Sequence, residues 1–135
     1  MKRALVLLLF IGIAVAGAQS ASGAFMRDET VKIAPLQPVA GSGVHGLVLL
    51  VQNPRGGSTV AVLAFGLQPN TQYASFYYDD NACHVDPELV GTFTSNARGF
   101  GFVIAEIDED VDEVGSVSVR TPDYSVLFAC ADTSG

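Results

Sequence analysis

The sequence contains few basic residues, few histidines and few cysteines. Its 135 residues include seven Lys and Arg against fourteen Asp and Glu, with two histidines and two cysteines. Proteins that bind nucleic acids or anionic membrane surfaces use clusters of Lys and Arg, which replace the counterions of the partner. With a formal net charge of −7, we therefore expect neither nucleic acid nor an anionic membrane as a partner.

A convincing helical period is also missing after residue 18. Short apolar runs rich in β-branched and aromatic residues recur instead, and turn-forming residues separate them. The predicted strands cover residues 44–52, 59–67, 73–78, 89–94, 100–104, 116–120 and 124–130. Seven or eight short strands at this spacing predict an all-β fold, a Greek-key β-sandwich or a flattened barrel.

The first eighteen residues have the composition of a secretory signal peptide. Lys2 and Arg3 precede an apolar run over residues 4–18, which ends in small residues. A transmembrane helix is the alternative, but a bilayer span needs about 20 apolar residues and this run is shorter. We predict cleavage near Ala18 and a secreted or periplasmic protein with no stable membrane anchor.

The chain that remains after cleavage has the size of one domain. Residues 19–43 are rich in Ala, Ser, Gly, Gln and Pro and are predicted to be a flexible lead-in, with one apolar alternation at Val31 and Ile33 that suggests an edge strand. Residues 44–135 are predicted to form the single β-sandwich domain. Five basic and fourteen acidic residues remain, so the net charge becomes −9.

The two cysteines, Cys83 and Cys130, are predicted to form one disulfide. An even number of cysteines in an exported chain favours a bridge because the compartment is oxidising. Closing a loop of this length is expected to stabilise the fold by about 4 kcal/mol. A metal-binding or redox pair is the alternative, but neither cysteine lies in the C-x-x-C pattern that such pairs commonly use.

Residues 66–73 have the pattern Gly-Leu-x-Pro-x-Thr-x-Tyr. This turn resembles the tyrosine corner of fibronectin type III domains, but there it lies near the domain's end. Over residues 44–132 the chain better resembles the copper/zinc superoxide dismutase sandwich. The similar elements are the turn at 66–69, the loop cysteine Cys83, the Val-Gly-x-Phe strand and hairpin at 90–99, and the terminal Ala129-Cys130. The resemblance implies a β-sandwich closed by a disulfide.

The same resemblance implies that the metal site of the family is degenerate here. Phe76 and Tyr78 occupy the positions of the family's His-x-His copper ligands, and neither side chain replaces imidazole in that role. Leu127 stands where the family has its guiding arginine. Since His45 and His84 are the only histidines, a site that needs several imidazoles cannot be assembled, and we predict no cofactor and no catalytic residues.

An acidic run near residue 110 is a weak candidate for calcium binding. Asp108, Asp110 and Asp112 alternate, and hard cations prefer several oxygen ligands close together. The EF-hand pattern fails, because Glu113 stands where Gly is needed and Val119 where a bidentate Glu is needed. A solvated run of charges is the alternative interpretation.

Two further groups of residues are weighed against simpler roles. His84 follows Cys83 and suggests a nucleophile with a base, but a disulfide would consume the thiol and leave an exposed loop histidine. In the strand at 73–78, Tyr73, Ser75 and Tyr77 share one face, and the other face carries Phe76 and Tyr78. One face must belong to the core. The other face either packs against further side chains of the protein or forms a contact surface for a partner.

These patterns favour an exported, non-catalytic β-sandwich that acts as a binding or structural module towards a protein or surface partner. Two alternatives remain from different classes. One is a divergent superoxide dismutase-like metalloprotein, and the other is a calcium-stabilised, adhesion-type domain.

Overall fold

The computed structural model describes residues 26–27 and 30–135, and the predicted signal peptide lies outside them. The strands are β1 (Met26–Arg27), β2 (Val31–Pro38), β3 (His45–Gln52), β4 (Ser58–Phe65), β5 (Gln72–Tyr78), β6 (Glu88–Thr94), β7 (Gly101–Ile107), β8 (Ser116–Arg120) and β9 (Leu127–Asp132). Residues Val111–Glu113 form one turn of 3-10 helix. The predicted all-β class is confirmed. Within these residues, none of the helical structure has the length and hydrophobicity of a membrane span.

The strands form a nearly closed, flattened antiparallel barrel. Their spatial order is β6-β5-β8-β9-β2-β3-β4-β7, and β1 pairs with β2. We call β2-β3-β4-β7 the first sheet and β6-β5-β8-β9 the second. Strand β2 joins the two sheets, because it pairs with β3 up to Leu36 and its last two residues pair with β9.

The core lies between the two sheets and follows from the alternation of side chains along each strand. Val48, Leu50, Val60 and Val62 are fully buried from the first sheet, and Val117, Val119, Ala129 and Ala131 from the second. Each fully buried aliphatic side chain of this size contributes about 1.5 to 3 kcal/mol relative to an exposed one. This packing explains why residues with high β propensity dominate these runs.

The turns between strands use the residues that the sequence indicates. Asn70 adopts a left-handed backbone with φ of 53°, as its tolerance of that region predicts. Gly99 has φ of 77° and lies so close to the segment at Leu67 that a Cβ there would be 2.4 Å from the Leu67 carbonyl oxygen. Asn96 shapes the same turn through its side chain, whose oxygen accepts hydrogen bonds from the amides of Arg98 and Phe100.

Two segments differ from the sequence-based boundaries. The predicted lead-in at 19–43 includes β2, which pairs with neighbours on both sides, so its second half belongs to the sandwich. The last strand starts at Leu127 and not at residue 124. Tyr124 has φ of 71°, a left-handed conformation that is incompatible with a strand and rare for an aromatic residue.

Candidate functional site

Strand β5 separates its aromatic residues between the core and the outer face of the second sheet. Tyr73 and Tyr77 belong to the core. The Tyr77 hydroxyl donates to Glu88 Oε1 at 3.2 Å, and burial followed by this carboxylate raises the pKa of Tyr77 to about 12. Phe76 and Tyr78 point outward, yet Tyr78 is fully buried. Loops must therefore cover this outer face.

A hydrogen-bonded network lies beneath those loops. The Tyr78 hydroxyl is 2.8 Å from Ser118 Oγ, and either group can donate. Arg120 Nε donates to the same Tyr78 hydroxyl at 2.9 Å. Ser118 and Arg120 both come from β8, the strand that pairs directly with β5. Two neighbouring strands thus place a phenol, a hydroxyl and a guanidinium together.

The guanidinium of Arg120 connects this network to both covering loops. One Nη donates to the Tyr124 carbonyl at 3.2 Å, and the other donates to the Cys83 carbonyl at 3.3 Å. The group also stacks on the Tyr124 ring, with Cζ 3.8 Å from the ring centroid, which is a favourable cation–π geometry. Arg120 is only 8% exposed, and its hydrogen-bond acceptors in the described chain are all uncharged oxygens.

The first covering loop carries the disulfide. Cys83 and Cys130 are bridged with a Cα–Cα distance of 6.1 Å, so the predicted disulfide is confirmed. The Cys83 amide donates to Ser116 Oγ at 2.9 Å, and Ser116 Oγ in turn donates to the Asp80 carbonyl at 2.6 Å. The loop is therefore fixed to β8 by its backbone as well as to β9 by its sulfur.

The side chain of Asp80 orders the rest of this loop. Its carboxylate accepts hydrogen bonds from the amides of Ala82, His84 and Val85. Burial opposes ionisation of this group, but the three amides outweigh it and lower the pKa of Asp80. Such a carboxylate replaces regular secondary structure as a partner for backbone N–H groups.

The second covering loop is a tight turn over residues 121–126. Asp123 Oδ1 accepts from Ser125 Oγ at 2.6 Å, from the Ser125 amide at 3.0 Å and from Thr121 Oγ1 at 2.8 Å. The Ser125 hydroxyl and amide, with Thr121, hold the pKa of Asp123 at about 2. This turn imposes the left-handed backbone of Tyr124, whose ring then packs edge-on against Phe76 with centroids 4.9 Å apart.

The environment of Tyr124 favours its neutral form. Burial, followed by the proximity of the Tyr78 hydroxyl, raises the pKa of Tyr124 to about 12. Its phenol therefore stays protonated near neutral pH. The cluster offers hydrogen bonds and a fixed cation, but Tyr124 provides no general base at neutral pH.

The positions that the superoxide dismutase resemblance assigns to copper ligands do not suit that metal here. Phe76 has no donor atom, and the Tyr78 hydroxyl already contacts Ser118 and Arg120. His45 lies on the first sheet, stacked on Phe65, while His84 is exposed in the disulfide loop. Across the part of the chain that the structure describes, His, Cys, Asp and Glu side chains form no group of three suited to a metal ion.

One member of the acidic run, Asp110, joins it to a neighbouring hairpin. Asp110 Oδ1 accepts from Gln52 Nε2 at 2.9 Å and from the Gly57 amide at 2.8 Å. These two donors, Gln52 foremost, lower the pKa of Asp110. Asp108 and Asp112 are exposed. Asp110 thus clamps the 3-10 turn to the β3–β4 hairpin, and calcium binding by this run stays an untested prediction.

One recess on the surface lies beside Tyr73 and Phe128. It has a volume of about 270 Å³, which is below the usual range of about 300 to 1,000 Å³ for ligand pockets. Its Ser42 hydroxyl already donates to the Phe128 carbonyl at 2.6 Å. This recess therefore gives little support to binding of a small molecule.

Neither the scan of protein-family models nor the search of curated proteins finds a match to this chain.

Sequence reasoning identified Phe76, Tyr78 and the disulfide but missed Ser118, Arg120 and Tyr124. A signal for Arg120 was present, because it is the one basic residue in a strand whose other members are small or apolar. Tyr124 gave no such signal, since a left-handed aromatic residue is not predictable from local propensity.

Proposed function

We propose that this protein is an exported, non-catalytic β-sandwich module and a divergent relative of the superoxide dismutase scaffold. It acts as a binding or structural domain. The observation that supports this most directly is the Arg120 network, which fills the region where the resemblance would place copper ligands.

The chemistry of that region favours a structural role. A buried guanidinium repels a metal cation, because two positive charges in a medium of low dielectric interact strongly. Arg120 instead donates to Tyr78 on the sheet and to the Cys83 and Tyr124 carbonyls in the loops. The residue therefore ties the loops to the second sheet, a task for which no metal is required.

The compartment is supported by the disulfide. Structural disulfides persist in secreted and periplasmic proteins and are rare where thiols are kept reduced. The described residues hold no free cysteine, which fits an oxidising environment. The apolar run and its cleavage remain sequence-based predictions.

A metal and activity measurement tests the proposal. Residues 19–135 should be purified from an oxidising compartment, analysed for copper, zinc and calcium after exposure to each, and assayed for superoxide turnover. We expect substoichiometric metal and no turnover above the buffer. Stoichiometric copper with superoxide turnover would falsify the non-catalytic assignment.

A matched variant sharpens this measurement. Replacing Arg120 with Met removes the buried cation, while Arg98→Met removes an exposed one of the same charge. We expect neither variant to gain copper, because Phe76 and Tyr78 still provide no imidazole. Copper uptake by the Arg120 variant alone would show that the guanidinium prevents a metal ion from binding there. The region would then still contain groups able to hold copper, contrary to the proposal.

A further inference from the structure

The outer face of the first sheet is apolar, and no loop among residues 30–135 covers it. Its side chains lie in rows across the strands, with Leu47 opposite Leu63 and Leu63 opposite Phe102. The next row places Leu49 opposite Ala61 and Ala61 opposite Ile104. We call these six residues the apolar face.

The exposure of this face is unusual for a small protein in water. Eight large hydrophobic side chains are exposed in the described chain, and five of them are here or on its border: Leu47, Leu63, Phe65, Phe102 and Ile104. Ile104 is 61% exposed and Phe102 is 55% exposed. Single exposed hydrophobic residues need no explanation, but a contiguous patch marks an interaction site.

We propose that the apolar face packs against the same face of a second copy of this chain. This inference rests on the proposed function, because it names the partner of a domain that works by binding. Two sheets that pack face to face align their strands within about 30° and lie about 10 Å apart. A two-fold axis through the face would bring identical apolar rows together, as in the common symmetric dimers.

The size of the face is close to the requirement of a dimer. The five exposed side chains on it and its border are between 37% and 61% exposed, and at roughly 200 Å² for a large hydrophobic side chain they present about 470 Å² to solvent in each copy. Two copies would therefore remove about 940 Å² from solvent, and the partly exposed Leu49 and Ala61 beside them bring the total to about 1,000 Å², the lower bound for a specific interface.

Charge favours a second copy over a lipid surface. Neither row of the apolar face contains a basic residue, and the chain has a formal net charge of −7, so an anionic membrane would repel it. Asp79, Asp86 and Glu88 belong to the second sheet and its loops, and in a dimer formed through the first sheet they would point away from the partner, where solvent ions screen them. Glu106 follows Ile104 on the exposed side of β7, opposite Thr59, so it lies at the rim of the apolar face, where its carboxylate stays in contact with solvent.

Sedimentation equilibrium of residues 19–135, from micromolar to sub-millimolar concentration, tests this inference. We expect a two-fold mass for the wild-type protein. Ile104→Glu and Leu63→Glu should weaken association at least a hundredfold, because each buries an unpaired charge in the interface. The matched control is Thr92→Glu on β6, an exposed strand position of the second sheet, and we expect it to leave association unchanged.

A mixing experiment protects the result against misfolding of a single variant. Leu63→Lys and Leu63→Glu should each be monomeric, and an equimolar mixture should recover dimers, since Leu63 lies on β4, the middle strand of the apolar face, where a two-fold axis through the face would bring the opposite charges together. Recovery cannot come from an unfolded chain.

Three results would overturn the inference. They are a wild-type monomer at every concentration, a dimer that both glutamate variants leave intact, and co-sedimentation of a monomeric wild type with phosphatidylcholine vesicles. None of these results bears on superoxide turnover. Failure of the dimer is therefore distinguishable from failure of the non-catalytic assignment.

Discussion

The two sheets of this sandwich share one core but have opposite outer faces. On the second sheet, Tyr78, Ser118 and Arg120 are buried under two loops that a disulfide and a carboxylate turn hold in place. On the first sheet, Leu63 and Ile104 face outward, and none of the loops that the structure describes lies above them. Polar residues are therefore covered and apolar residues are open, the reverse of what solvation alone would produce. The chain uses its loops to build an internal network on one side and leaves the other side for contact.

Removing the disulfide should have the largest effect on this contrast. The bridge joins residues 47 positions apart, and in the chain-entropy description a loop of that length contributes about 4 kcal/mol. We expect the Cys83→Ser, Cys130→Ser double variant to lose about that much free energy of unfolding in urea denaturation. Because the bridge holds the covering loop, proteolysis should cut first near residues 79–87. Initial cleavage elsewhere would contradict the assigned role of the loop.

Replacing Arg120 should have the next largest effect. Arg120→Met removes a charged donor from the Tyr78 hydroxyl and from the Cys83 carbonyl, and a hydrogen bond to a charged group is worth about 1.5 to 3 kcal/mol. We expect a loss of about 2 to 3 kcal/mol in the free energy of unfolding.

Arg120→Lys is the control for this change, because it keeps the charge but not the planar fork. Its loss should be smaller. If the Met variant were as stable as the wild type or more stable, the network would contribute to the specific arrangement of the loops and not to the free energy of unfolding.

The turn that carries Tyr124 should make stability depend on acid. The pKa of Asp123 is about 2 in the folded protein, against 3.8 for the free group. Its contribution to stability is therefore present above about pH 4 and is lost as the pH falls towards 2. We expect Asp123→Asn to lower the melting temperature at pH 7, and the wild-type and variant curves to converge near pH 2. Parallel curves across that range would contradict the assignment.

Changes on the apolar face should affect folding least. Ile104 is mostly exposed, so Ile104→Thr at concentrations low enough to keep the protein monomeric should change the free energy of unfolding by less than about 0.5 kcal/mol. Val62 on the neighbouring strand is fully buried and provides the comparison, because Val62→Thr should cost about 1 to 3 kcal/mol. Equal effects at the two positions would mean that the face is not open.

The sequence was sufficient for the parts of the fold that depend on local patterns. Two apolar, β-branched runs of strand length on either side of the turn at 53–58 predicted the β3–β4 hairpin within one or two residues, because such runs are buried in a sheet. The cysteine count predicted the bridge. Position 124 shows the limit, since apolar spacing there predicted a strand while hydrogen bonds from Thr121 and Ser125 to Asp123 formed a turn.

The candidate site was less predictable for the same physical reason. Phe76 and Tyr78 were found through their resemblance to a metal-binding pair, but the cation that contacts Tyr78 comes from β8, about forty residues later. Pairing of β5 with β8 places Ala74 opposite Arg120 and Phe76 opposite Ser118. That register is set by the packing of the whole sandwich, so the network appears only when the topology is known.

The end strands β6 and β7 approach each other without forming a hydrogen-bonded pair. A Cβ added to Gly91 would lie 2.8 Å from Val103 Cγ2, so a glycine permits this close approach. Each of these two edges shields the other from a foreign strand, which could otherwise add to the N–H and C=O groups of either one. Growth into fibrils by strand addition is thereby opposed along this seam of the barrel.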